Sequence, residues 1–371
     1  LNDYLSQLFN INKKILILAN ISGVLMVSYQ IYQHYLKATL QSRNYVILSI
    51  AYSVTSTIIS IILIWILKDD KYFGRIFGFI TAIVLVSSIS LFHLFHLAEF
   101  KFEKKHLYYA LSFGIPFIPH LLSQFILSMF DRIIINQLTG SVNTGLYSLA
   151  YNVGNIINAL SSAIIAAFIP EFYRFLNNAD YEKINLRVKE MTNIILIGAL
   201  FMIFFAKEII AIMAAEEFHS SLSIIPWIIV GNVFFYFYMI YSVYATYDKK
   251  TGIFSLITLI AGAINILLNY LFIPVCGYKV AAVTTMISYF LLFLFHFINA
   301  KFFLKKIVIP IKTYLLNFIF FIIFILSGLG VSNNVSSPLY SFLIRFILFI
   351  VAFLWLFKDM LKKIRNIYLK K

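Results

Sequence analysis

The chain reads as a series of long apolar runs separated by short polar or basic connections. Residues 107–130 form 24 consecutive positions without Lys, Arg, Asp or Glu, enough helix to cross the roughly 30 Å hydrocarbon layer of a bilayer. Runs of the same kind, bounded by charge or by Gly, Pro and Asn, cover 15–36, 45–67, 76–97, 107–138, 142–169, 192–213, 222–244, 253–273, 280–300, 308–331 and 339–357. This pattern predicts an all-α, polytopic membrane protein with 11 spans. Pro116 and Pro119 lie inside the fourth run; each removes a helix hydrogen bond, so the pair predicts a kink and a candidate hinge. The connection 171–191, with Glu182, Lys183, Arg187, Lys189 and Glu190, reads as an amphipathic helix at the cytoplasmic interface.

Composition agrees with the pattern. Of 371 residues, 61% are hydrophobic and 12% charged, with mean hydropathy +0.90, outside the balance of a soluble domain. A net charge of +15 would suggest nucleic acid in a soluble protein, but here the basic residues lie between spans, which excludes that partner and instead orients the bundle. Connections on one side carry 21 Lys and Arg and those on the other side carry 7. The positive-inside rule makes the richer side, with the C-terminus, cytoplasmic. An odd number of spans then leaves Leu1 outside, which suggests further spans before it. The lone Cys276 allows neither an intramolecular disulfide nor a thiolate metal site. Trp65, Tyr108, Trp227 and Trp355 near span ends fit interfacial anchoring.

Polar groups inside apolar spans are costly, so they are the candidate functional residues. Asp131 and Arg132 are adjacent in sequence and diverge by about 100° on a helix; each meets another span or a solvated cavity, or the two form a structural pair near the interface. Arg345, within the last span, can snorkel outward or face a lumen. His120 falls near mid-membrane, as a packing residue or a proton relay. Ser148, Asn152, Asn155 and Ser162 recur on one helix face, with Asn158 and Ser161 beside them. That stripe glues helices together or walls a cavity. Lys207, Glu208, Glu216 and Glu217 read as solvated charge at the outer surface. No phosphate loop, metal-ligand cluster, catalytic triad or paired carboxylates indicate an enzyme or a resident cofactor.

Residues 113–157 resemble the central segment of bacterial O-antigen and polysaccharide flippases, the Wzx-type branch of the multidrug/oligosaccharidyl-lipid/polysaccharide exporter superfamily. The likeness lies in Pro116, Pro119 and His120, in Asp131-Arg132 followed by Ile133–Ile135, in Gly145, Tyr147, Ala150 and Tyr151, and in Pro170 ending the next span. A second block matches at Asn265, Asn269, Pro274, Gly277, Ala281 and Ala282, with Val280 where the family usually has Gly. The resemblance implies a two-lobed exporter bundle lacking roughly its first three helices. Residues 1–106 would be the rest of the N-terminal lobe, 107–300 the six-helix C-terminal lobe, and 301–371 two additional helices with a basic tail.

It implies translocation of an undecaprenyl-pyrophosphate-linked oligosaccharide, an O-antigen or capsule repeat unit, across the bacterial inner membrane by alternating access. Related alternatives are a cation-coupled small-molecule exporter and a lipid II flippase. On this reading Arg132, Asp131, His120, Asn152, Asn155, Asn158 and Arg345 bind substrate. The partners are the lipid-linked oligosaccharide and membrane lipids, with a polysaccharide polymerase and chain-length regulator as further expectations.

Overall fold

The computed structural model describes residues 13–39, 41–67, 71–98, 101–248, 250–307 and 309–358, with the side chains of 113, 116, 117, 120, 251 and 333 outside the description. Regular structure among the described residues is helical throughout. The helices are α1 (Lys13–Ala38), α2 (Ser42–Ile66), α3 (Lys71–Leu97), α4 (Lys104–Thr139), α5 (Ser141–Asn177), α6 (Tyr181–Phe204) and α7 (Ala206–Met213). After a 3-10 helix at Glu216–Ser223 follow α8 (Ile225–Tyr247), α9 (Thr251–Cys276), α10 (Val280–Ile298), a π-helical turn at Asn299–Phe303, α11 (Lys312–Asn334) and α12 (Pro338–Leu356).

Among the described residues nine helices are long and apolar enough to span a membrane, or ten when α6 and α7 count as one bent span. The sequence pattern predicts one more. That one is α4, whose 36 residues have the length but interleave Gly, Pro, His, Ser and Gln with the apolar positions.

The chain divides into two compact units between Tyr108 and Tyr109. In the first, α2 and α3 approach at backbone distance because Gly74 and Gly78, one turn apart, face α2. A Cβ on Gly78 would lie 2.6 Å from the Ser60 backbone, and one on Gly74 would lie 2.6 Å from the Ile64 nitrogen. Without a hydrophobic driving force between helices in lipid, small residues that allow such approach supply the packing.

The second unit is built around α8. In its apolar window 72% of residues are buried, against 17–50% for the other candidate spans, so this helix is apolar nearly all round. Tyr236 reaches Thr192 of α6 at 3.2 Å, and Tyr241 donates to the Ile309 carbonyl at 2.8 Å, pinning the loop before α11. Helices from segment 301–371 pack onto α6 in this unit. Asn317 donates to Asn193 Oδ1 at 2.7 Å, and Asn193 in turn donates to the Leu356 carbonyl at 2.6 Å.

Three local expectations are corrected. Pro170 does not end its helix: α5 continues through it to Asn177. Phe172 and Phe175 are buried in the core beyond it, and that burial outweighs one lost hydrogen bond. The segment 171–191 is therefore no separate interfacial helix. It is the end of α5, a turn with Ala179 at φ 55°, and the start of α6. Arg187 ties the two helices by reaching Glu171 on α5 and Glu190 on α6, both at 3.2 Å. Thirdly, run 192–213 is not one straight span, because α6 and α7 meet at 62° around Phe205. Arg345 Nη1 donates to the Phe204 carbonyl, satisfying an acceptor that the end of α6 leaves open.

Candidate functional site

A cavity of about 590 Å³ lies within the second unit, walled by α4, α5, α8 and α10. Its α5 wall is the predicted polar stripe in part. Asn155, Asn158 and Ser162 line it, separated by three and four residues and so on one helical face. Facing them are Gln124 and Ser128 from α4, Ser242 and Thr246 from α8, and Tyr289 from α10. Ser128, Ser242 and Thr246 each donate to a carbonyl three residues earlier in their own helix, leaving hydroxyl lone pairs to accept from a guest. The volume falls within the roughly 300–1,000 Å³ of small-molecule sites. The lining is more polar than the surrounding bundle.

Asp131 and Arg132 diverge as helix geometry requires, and no ion pair joins them among the described residues. Asp131 is fully buried in an uncharged cluster. It accepts from Tyr147 at 2.7 Å, from Asn269 Nδ2 at 2.6 Å and from Thr285 at 2.5 Å. The network continues from Asn265 to Thr285 at 3.2 Å and from Thr284 to Asn269 Oδ1 at 2.5 Å. It joins α4, α5, α9 and α10 through groups that would be costly in hydrocarbon if unmet. Its oxygens from carboxylate, amides and hydroxyls are hard donors of the kind that suits hard cations, although no cluster of three His, Cys, Asp or Glu occurs among the described residues.

Arg132 points to α5, its guanidinium 4.6 Å from the centre of the Tyr151 ring and Nη1 2.9 Å from Met129 Sδ. Tyr151 and Met129 both line the cavity, so Arg132 borders it through them. A cation over an aromatic face is held by about 0.5–2 kcal/mol, and the Arg132 Nε is buried without a partner. Tyr151 connects this region to the wall at Tyr289, the hydroxyls 3.3 Å apart.

A family described as polysaccharide biosynthesis protein matches residues 4–176. A protein of the Lsg locus of Haemophilus influenzae is 24% identical over 234 residues, covering 56% of this chain and 58% of the relative. The crystal structure of a MATE mutant superposes with a TM-score of 0.51 over 76% of this chain and 66% of that one. The chain is thus similar to this polysaccharide biosynthesis family over residues 4–176 and to the MATE protein in its fold. At 14% identity the MATE likeness is one of fold alone. The chain spans a little over half the length of the Haemophilus relative and about two thirds of the MATE chain.

Against that fold the expected site residues separate. Asn155 and Asn158 line the cavity, whereas Asn152 is exposed off its lining. Ser161 is buried, donating to the Ile157 carbonyl at 2.7 Å. Asp131 does not reach the cavity, so direct substrate contact is corrected to burial in a polar cluster. Arg345 neither snorkels nor joins this cavity. It is 4% exposed and grips Glu208 by two bonds, at 2.6 and 3.1 Å. Glu208, expected as solvated charge, is therefore an ion-pair partner. The side chains of His120 and Pro116 lie outside the described residues; α4 runs unbroken through both prolines, with Pro119 exposed.

The sequence reading missed Gln124, Ser128, Ser242 and Thr246 as wall residues, Asn269, Thr285 and Tyr147 as partners of Asp131, and Asn265 and Thr284 as extensions of that network. One signal was available for the network: Asn265 and Asn269 stand four apart in a strongly apolar run, which puts two amides on one face.

Proposed function

We propose that this protein moves a lipid-linked oligosaccharide, carried on undecaprenyl pyrophosphate, across the bacterial inner membrane by exposing its polar cavity to each side in turn. A sugar head group with a pyrophosphate cannot cross hydrocarbon unaided, because its charge and hydroxyls would lose their hydrogen bonds. The observation that carries the reading is the convergence of amides and hydroxyls from α4, α5 and α8 on one cavity inside an apolar bundle. Each Asn amide offers two donors and an acceptor, matching vicinal hydroxyls. Arg132, beside this wall, supplies positive charge toward the pyrophosphate or an acidic sugar. The polymerase and chain-length regulator are natural partners of such a flux, and the basic C-terminal side would be cytoplasmic.

The test is complementation of a flippase-deficient strain with Asn155→Leu/Asn158→Leu, expression being verified. Surface polysaccharide is expected to fall at least tenfold. Full restoration would remove this wall from the transport path.

Cation-coupled export is a second reading, favoured by a specific observation: Asp131, the only fully buried carboxylate among the described residues of the second unit, is held by uncharged hydroxyl and amide side chains. Asp131→Asn is expected to give a folded protein whose transport in vesicles no longer responds to an imposed sodium or proton gradient. A response equal to that of the unaltered protein would sink the coupling role.

A further inference from the structure

A second cavity in the same unit, about 960 Å³, shares no lining residue with the first. It has two chemically distinct parts. Val230 and Phe234 of α8 with Phe318, Ile322, Leu326 and Leu329 of α11 make an apolar channel. At one end stand Lys207 of α7, His219 and Ser220 of the 3-10 helix, Lys279 of the α9–α10 turn, and Arg345 of α12.

These basic groups are unusual for their position. The second unit joins its helices at this end through residues 140, 204–224, 277–279 and 335–337, a side on which basic residues are sparse. Lys207 and Lys279 are the only Lys or Arg in those segments, and both line this one cavity. The acidic groups do not cancel them. Glu208 is occupied by Arg345, as described, while Glu216 and Glu217 are exposed on the 3-10 helix and off the lining. Two lysines are thus left at the mouth of an apolar channel.

We propose that this cavity is a binding site for an anionic phospholipid of the surrounding bilayer, its acyl chain between α8 and α11 and its phosphate between Lys207 and Lys279. Charge complementarity selects the anionic head group, at roughly 1 kcal/mol per lysine near a membrane surface. The long apolar wall selects an amphiphile over a soluble anion. The near absence of amide side chains separates this site from the sugar-facing cavity. Ser220 and Ser223 at the same end offer hydroxyls to the phosphate or glycerol oxygens. Arg345 acts as a positioning residue: by holding Glu208 it keeps a carboxylate away from the head group, and it fixes the bend that presents Lys207.

The experiment uses the full chain, delipidated in detergent and then transferred to nanodiscs of phosphatidylglycerol or of phosphatidylcholine, with retained lipid counted by native mass spectrometry. The unaltered protein is expected to retain phosphatidylglycerol selectively and to melt at a higher temperature with it. Lys207→Ala/Lys279→Ala should weaken that retention about 30-fold, about fivefold per lysine, while melting in phosphatidylcholine stays unchanged. Lys207→Gln/Lys279→Gln, which keeps side-chain length, serves if the alanine pair lowers melting in phosphatidylcholine. Leu326→Trp, which narrows the channel, should reduce retention without altering charge. Equal retention of the two lipids by the unaltered protein would overturn the proposal, as would undiminished phosphatidylglycerol in both lysine pairs. A stabilisation reproduced by inorganic phosphate alone would also overturn it, reducing the site to an anion pocket.

Discussion

At the residue scale, charge in this bundle is handled in three ways, and each follows from what the side chain can reach. Asp131 is surrounded by donors, Arg132 rests on an aromatic face, and Arg345 takes a carboxylate. The last pair makes an asymmetric prediction. Glu208 is 34% exposed and Arg345 only 4%, so removing either partner strands a group of different solvation. Glu208→Ala leaves a buried guanidinium with backbone acceptors alone and is expected to cost about 3–5 kcal/mol. Arg345→Ala leaves a carboxylate that water can reach and should cost less. Melting of the purified variants in one detergent compares them; equal losses would show that the Phe204 carbonyl contact, absent only from the Arg345 variant, matters as much as the ion pair.

At the element scale, helix existence was legible and helix ends were not. The apolar runs located every long helix because hydrocarbon demands internally bonded backbone. Pro170 pointed to a terminus, but Phe172 and Phe175 beyond it are buried in the core, so packing carried α5 onward. The 62° break after Phe204 had one local hint in its run, the charged pair Lys207-Glu208 just beyond it. The Phe204 carbonyl at the break accepts from Arg345, 141 residues away in the chain. Gly74 and Gly78 are legible in hindsight as a small-residue pair one turn apart, but only the packing tells which helix they meet. The polar stripe on α5 behaved similarly. Periodicity grouped its residues, and the angular position of each relative to α4 and α8 decided that Asn155 and Asn158 face the cavity while Ser161 is enclosed.

At the scale of the whole molecule, orientation is the outstanding prediction. Cys276 is the single cysteine and is exposed at the end of α9, on the side poor in basic residues. If the positive-inside bias sets the topology, a membrane-impermeant maleimide added to intact spheroplasts should label Cys276 without permeabilisation. Labelling only after lysis would invert the bundle. Cys276→Ser provides the blank, and no other thiol competes.

The sequence by itself determined that this chain is a helical membrane bundle, because long uncharged runs leave the backbone no other way to satisfy its polar groups in lipid. It also supplied the family likeness through short blocks around Asp131 and Asn265. Which polar groups meet was decided by tertiary structure alone: Asp131 with Asn269 and Thr285, Arg345 with Glu208, and the lysines of two distant turns at one cavity. Those pairings depend on helix rotation and crossing, and in lipid these are set by side-chain packing between helices, which a one-dimensional pattern does not encode.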